Sequence, residues 1–194
     1  MTPCEECGYD YEALSRGEIL AVVPDMAAQN RKLLGSVPAE RLRAHTRSGS
    51  WSPLEYGCHV RDVLIVQRDR VLRAQAQQTP RFESMRRDER ALEERYNEQD
   101  PVAVGAAIAA AATELTSTLA ALDDAGWQRT GIYPWPLPEI RSVEWIGRRT
   151  AHELAHHLFD IRRLLGLAVH PVTALHRPDD LAEQPGELVL LFLG

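Results

Sequence analysis

Lysine is almost missing from this 194-residue chain. Lys32 stands alone among 22 basic residues, and the rest are arginine. That bias reads as codon usage and points to no site. Cysteine is scarce too. Cys4, Cys7 and Cys58 are too few for a disulfide framework, so stability has to come from a core. A chain of this length with 44% hydrophobic residues can build one as a single domain. A basic surplus is lacking as well: 22 Lys and Arg face 28 Asp and Glu, for a net charge of −6. That is the opposite of the balance a general nucleic-acid binder carries. No apolar run approaches the ~18 residues of a membrane span, so no membrane partner is expected. Residues Met1 to Asp10 lack a basic stretch leading into an apolar one, so no signal peptide is read and the expected location is the cytoplasm. Period-two alternation and Asn-Gly or Asp-Gly hairpins are also absent, which disfavours sheet.

Helix signals are plentiful. Ser15-Arg16-Gly17-Glu18 fits a capping box opening a helix to about Leu34, with a kink at Pro24 and a stop at Gly35. Ser52-Pro53-Leu54-Glu55 opens a second helix that runs to about Ala74. Gln75 to Gln99 reads as a polar crossover with a short helix near Asp88 to Arg95. Asp100-Pro101 starts a third helix that ends before Gly126, its alanine-rich middle suited to close packing. Trp127 to Glu139, with Pro134, Pro136 and Pro138, reads as a loop. Ser142 caps a fourth helix ending at Gly166. The expectation is an all-α four-helix bundle over residues 15–166 with one long crossover. It is preceded by a segment, 1–14, holding Cys-x-x-Cys, and followed by a C-terminal tail, 167–194, of no assigned role.

Chemistry concentrates on the fourth helix. His152 and His156 are four residues apart and share a helical face one turn apart, as two ligands of one ion require. His157 points about 100° away and reads as a poor partner for that ion. The face holding the pair also carries Arg148, Arg149, Arg163, Trp145 and Phe159. It is either a solvated surface or a pocket wall. His59 lies on a largely apolar strip of the second helix and should face inward, as a core histidine or as a third ligand. Asp62, Glu153 and Asp160 are the carboxylates available to orient the rings. Cys4-Glu5-Glu6-Cys7 is half a zinc site or a redox pair, and the sequence shows no second cysteine pair to complete it.

The stretch Trp51-Ser52-Pro53-Leu54-Glu55-Tyr56-Gly57-Cys58-His59-Val60-Arg61-Asp62, followed by Thr150-Ala151-His152-Glu153-Leu154-Ala155-His156-His157, resembles the DinB/YfiT-like superfamily. That superfamily includes mycothiol-dependent maleylpyruvate isomerases and related thiol transferases. The resemblance covers about Ser15 to Gly166. It implies a four-helix bundle and a divalent ion, zinc or nickel, held by His59, His152 and His156. It also implies a small-molecule thiol such as mycothiol as cosubstrate and a small electrophile. Independently of the resemblance, a homodimer is among the expected partners. Arg70, Trp145, Arg149, Glu153 and Phe159 are the candidates for orienting ligands or touching substrate, and Cys4 and Cys7 for a thiol site. Two other readings stay open. His152-Glu153-Leu154-Ala155-His156 also satisfies H-E-x-x-H, so hydrolysis by an activated water with Glu153 as base has to be weighed. A zincin would need a third ligand downstream, where only His170 and His176 occur. The remaining reading is a non-catalytic, stress-related metal-binding bundle.

Overall fold

The computed structural model describes residues 4–8, 14–46 and 49–169. The run Leu188 to Leu193, with His170 and His176, lies outside them. Four long helices form the body: α1 (Arg16–Ser36), α3 (Pro53–Ala76), α5 (Pro101–Ala120) and α7 (Val143–Leu164). Three short ones, α2 (Ala39–Arg43), α4 (Arg87–Glu93) and α6 (Asp124–Gln128), sit in the connections. Going round the bundle, α1 touches α5 and α7, and α3 touches the same two. This puts α3 and α7 side by side, which is the contact that builds the site.

Each long helix starts where its side chains satisfy the free N–H groups of the first turn. The Ser15 hydroxyl accepts from Glu18 N, and the Glu18 carboxylate accepts from Ser15 N at 2.7 Å. Ser52 and Glu55 repeat the arrangement at α3, with Pro53 at the first helical position. Asp100 caps α5 and Ser142 caps α7. The end of α7 is a Schellman turn. Gly166 takes φ 69°, Leu167 N donates to Arg162 O, and Gly166 N donates to Arg163 O.

The expected boundaries shift in three places, and one reading of composition is corrected. Helix α1 runs through Gly35 to Ser36, because that glycine keeps a helical backbone and offers no left-handed cap. The third helix stops at Ala120 and restarts as α6, because Asp123 caps a new turn through Gly126 N. The loop expected over Trp127 to Glu139 contains strand β1 (Thr130–Tyr133), which pairs antiparallel with β2 (Glu139–Ser142). Four-residue strands are too short to print an alternation, and the three prolines sit in the connecting tip. The crossover adds to this ribbon, with Ile132 donating to Pro80 O and Phe82 N donating to Ile132 O. Finally, α5 is long and apolar enough to cross a membrane by length and composition alone, which corrects the reading that no segment is. In the bundle its Val104, Ile108, Ala112, Leu115 and Leu119 are buried core facing α1 and α3.

Candidate functional site

A cavity of about 680 Å³ opens between α3 and α7. Its other walls are the segment 84–89 at the start of α4, the tip of the β1–β2 ribbon at Tyr133 to Trp135, and Cys4 of the N-terminal turn. From α3 it receives His59. From α7 it receives Arg149, His152, Glu153, His156 and His157. Two interleaved i,i+4 pairs on α7 make this possible. His152 and His156 form one, Glu153 and His157 the other, each on its own line along the helix.

The Glu153 and His157 pair meets α3. His157 Nε2 lies 3.3 Å from Glu153 Oε2, and His59 Nε2 lies 4.0 Å from the same oxygen. The His59 and His157 rings stand edge to face, 5.0 Å apart. Trp51 packs edge-on against His59 at 5.1 Å and Tyr56 lies 5.2 Å from His157, which holds both rings in place. Behind them, His157 Nδ1 donates to Asp160 Oδ2 at 3.1 Å, while Arg149 is paired with Glu153.

The His152 and His156 pair meets the N-terminal turn. Their rings are 5.3 Å apart, and Cys4 Sγ is 3.6 Å from His156 Nδ1. Cys7 is buried beside them, so that one ligand atom from each of Cys4, Cys7, His152 and His156 falls within 4.8 Å of the others.

The structure therefore divides the expected three-histidine set. Among the described residues, the groups whose donor atoms converge are His59 with Glu153 and His157; Cys4 and Cys7 with His152 and His156; and His156 with His157 and Asp160. His59 does face inward, but it meets the residues following the H-x-x-x-H pair rather than the pair itself. His157, read as a poor partner, is central, and the signal that finds it is the second i,i+4 pair, Glu153-x-x-x-His157. Of the orienting carboxylates, Asp160 serves His157. Asp62 instead accepts from Tyr96 Oη at 2.5 Å and from Arg61 Nε at 2.7 Å.

Other candidates separate in the same way. Arg149 and Arg70 line the cavity, but Arg70 is a buried brace. It donates to Glu83 O and Gln67 Oε1, and its guanidinium lies 4.6 Å from the centre of the Tyr133 ring. Trp145 packs against Tyr133 at 4.9 Å and belongs to a separate, smaller hollow with Arg148. Phe159 is not part of the cavity wall and lies under Arg163.

The electrostatics suit a cation. Burial, helped by the neighbouring His157, pushes His59 down to about 3. Burial, then Arg149, pushes His152 down to about 4, and burial also lowers His156 against the pull of Asp160. All three are neutral imidazoles with a lone pair to give. Burial works against ionising Glu153, yet the hydrogen bond from His157 and the charge of Arg149 hold it well below the usual carboxylate range. Burial opposes charge on His157 too, but Asp160 and Glu153 outweigh it and raise it to about 9. The carboxylates of Glu153 and Asp160 thus flank a point where positive charge is favoured. His59 supplies the test of fit. Its Nδ1 is buried without a hydrogen-bond partner, and its Nε2 stands past hydrogen-bond distance from Glu153. Separations of 3.3 and 4.0 Å are close to those of donors sharing an ion through bonds of about 2.0–2.2 Å. The residues fit a divalent metal.

The fold has solved counterparts. One is the structure of YfiT from Bacillus subtilis, described as a probable metal-dependent hydrolase with an unusual four-helix bundle topology. It superposes with a TM-score of 0.69 at 18% identity, over 82% of this chain and 94% of that one. A mycothiol-dependent maleylpyruvate isomerase matches with a TM-score of 0.64 at 14% identity, over 79% of this chain but only 63% of that chain. A mutant of such an isomerase matches with a TM-score of 0.67 at 14% identity, over 89% of this chain and 68% of the mutant. No curated protein matches by sequence. A family model does, over residues 25–161, which span both His59 and the whole of the α7 cluster: the chain belongs to the DinB superfamily.

Proposed function

We propose that this protein is a metal-dependent enzyme of small-molecule thiol chemistry, a transferase or isomerase that uses a mycothiol-type cosubstrate. The observation that carries the reading is the convergence of His59, Glu153 and His157 from two helices on the wall of an open cavity of about 680 Å³. The three would hold a zinc or nickel ion. When bound, such an ion supplies Lewis acidity that makes a coordinated thiol or water a nucleophile near neutral pH.

The chain's own residues do the rest. Asp160 fixes the His157 ring through Nδ1 and leaves Nε2 directed at Glu153. Arg149 fixes Glu153 and lies 5.0 Å from the centre of the Trp135 ring at the ribbon tip. Arg86 and Arg87 add positive charge at the cavity wall, suited to an anionic thiol or electrophile. The volume lies within the range of pockets that take small molecules, with room for two reactants.

Hydrolysis is the second reading, and the description of the YfiT structure favours it. Against it, Glu153, the base that H-E-x-x-H would offer, is tied to Arg149 and His157. An open cavity beside the donors speaks against a purely non-catalytic bundle.

The test is to incubate the protein with mycothiol and monochlorobimane, with and without its metal, alongside His59→Ala. Metal-dependent conjugation lost in the variant supports the reading. A rate equal to the metal-stripped control overturns it. Ester or amide hydrolysis by the same metal-loaded protein moves the assignment to the hydrolase.

A further inference from the structure

We propose that Cys4, Cys7, His152 and His156 form a second cation site, distinct from the His59–Glu153–His157 cluster, which takes a thiophilic divalent ion, best matched by zinc, and clamps the N-terminal segment onto α7. The spacing C-x-x-C with H-x-x-x-H falls within the ligand pattern of closed Cys₂His₂ zinc sites. The second pair that the cysteines lack in sequence is supplied by histidines more than a hundred residues away.

The local backbone is shaped for this. Gly8 N donates to Cys4 O at 2.8 Å, and Gly8 itself takes φ 71°, a conformation only glycine adopts cheaply. That tight turn brings both thiols to the same side, toward α7. Donors held at tetrahedral angles by bonds of about 2.1–2.3 Å stand roughly 3.3–3.8 Å apart. Cys4 Sγ and His156 Nδ1 are 3.6 Å apart. The other nitrogen of His156 faces carboxylates, with Glu6 Oε2 at 3.5 Å and Asp160 Oδ2 at 3.6 Å. A ligand histidine characteristically has such a partner, which fixes the ring and leaves Nδ1 for the ion. Two sulfurs and two imidazoles favour zinc over harder ions.

Loading involves no redox change. Each thiol gives up its proton to solvent, two sulfur–metal and two nitrogen–metal bonds form, and two protons are released per ion. Cys4 lines the cavity that also holds His59, so the clamp would build one wall of the substrate space. Asp160 stands between the two clusters, bonded to His157 and beside His156.

Metal analysis of the full chain should give two zinc ions per molecule, falling to one in Cys4→Ser/Cys7→Ser and to one in His59→Ala. Cobalt-loaded wild type should show thiolate-to-metal charge-transfer absorption, lost in the double cysteine variant and kept in His59→Ala. A third measurement needs no variant. Zinc should slow alkylation of Cys4 about tenfold or more relative to chelator-treated protein, with buried Cys58 slow in both states. Cobalt spectra without thiolate absorption, or zinc that leaves Cys4 alkylation unchanged, overturn the proposal. Unchanged metal content in His59→Ala would instead remove the catalytic-ion reading and leave this one standing.

Discussion

His157 Nδ1 donates to Asp160 Oδ2 at 3.1 Å, three residues on along α7. This bond sets the ring so that its other nitrogen faces Glu153, and through Glu153, His59. Asp160 is 4% exposed, so water does not compete for it. It is a positioning residue for the proposed ligand set.

Replacing Asp160 with Asn keeps the size and removes the charge. Loss of such an outer carboxylate typically costs about 10–100-fold in metal affinity. Competition with a chromophoric chelator should show that loss for the ion at His59, Glu153 and His157, while far-UV circular dichroism stays that of the wild type. An unchanged affinity would show that packing against Tyr56 and His59, and not the Asp160 carboxylate, holds the ring.

Glu153→Gln distinguishes a ligand from a base. As a ligand, the carboxylate is needed for binding, so the variant should lose bound metal and activity together. If metal content stays at the wild-type level and only turnover falls, Glu153 acts on protons instead.

Removing metal should lower the unfolding temperature, because an ion that binds only the folded chain stabilises it by mass action. The shift should be smaller in Cys4→Ser/Cys7→Ser, which would have one ion fewer to lose. Calorimetry with and without chelator reads both.

Ser52→Ala tests how the site depends on the start of α3. The hydroxyl accepts from Glu55 N and donates to Asn97 Oδ1 at 2.7 Å, and the residue is fully buried. Loss of a capping serine costs about 0.5–2 kcal/mol, with the stranded Asn97 carbonyl placing this variant toward the upper end. Denaturant unfolding measures it.

Gly131→Ala tests the ribbon that roofs the cavity. A methyl group at Gly131 would collide with the Phe82 ring. That ring is buried, with the guanidinium groups of Arg70 and Arg73 about it. Overpacking of this kind costs about 1–3 kcal/mol, and a fall in unfolding temperature without loss of metal would be the expected result.

The sequence by itself determined the helical body and its registration. Ser15, Ser52, Asp100 and Ser142 cap helices that begin where each residue stands, because capping is a local bargain between a side chain and the next three N–H groups. Helical spacing likewise put two donor pairs on α7. Only the tertiary structure decided which partner each pair meets. Neighbouring lines on a helix differ by about 100°, and the packing of α3 and of the Cys4 turn against α7 settles which line each of them faces. His59 consequently joins Glu153 and His157, and the cysteines join His152 and His156. The short β1–β2 ribbon belongs to the same class. Its strands are held by pairing with each other and with the crossover at Pro80 and Phe82, contacts between distant segments that no local pattern records.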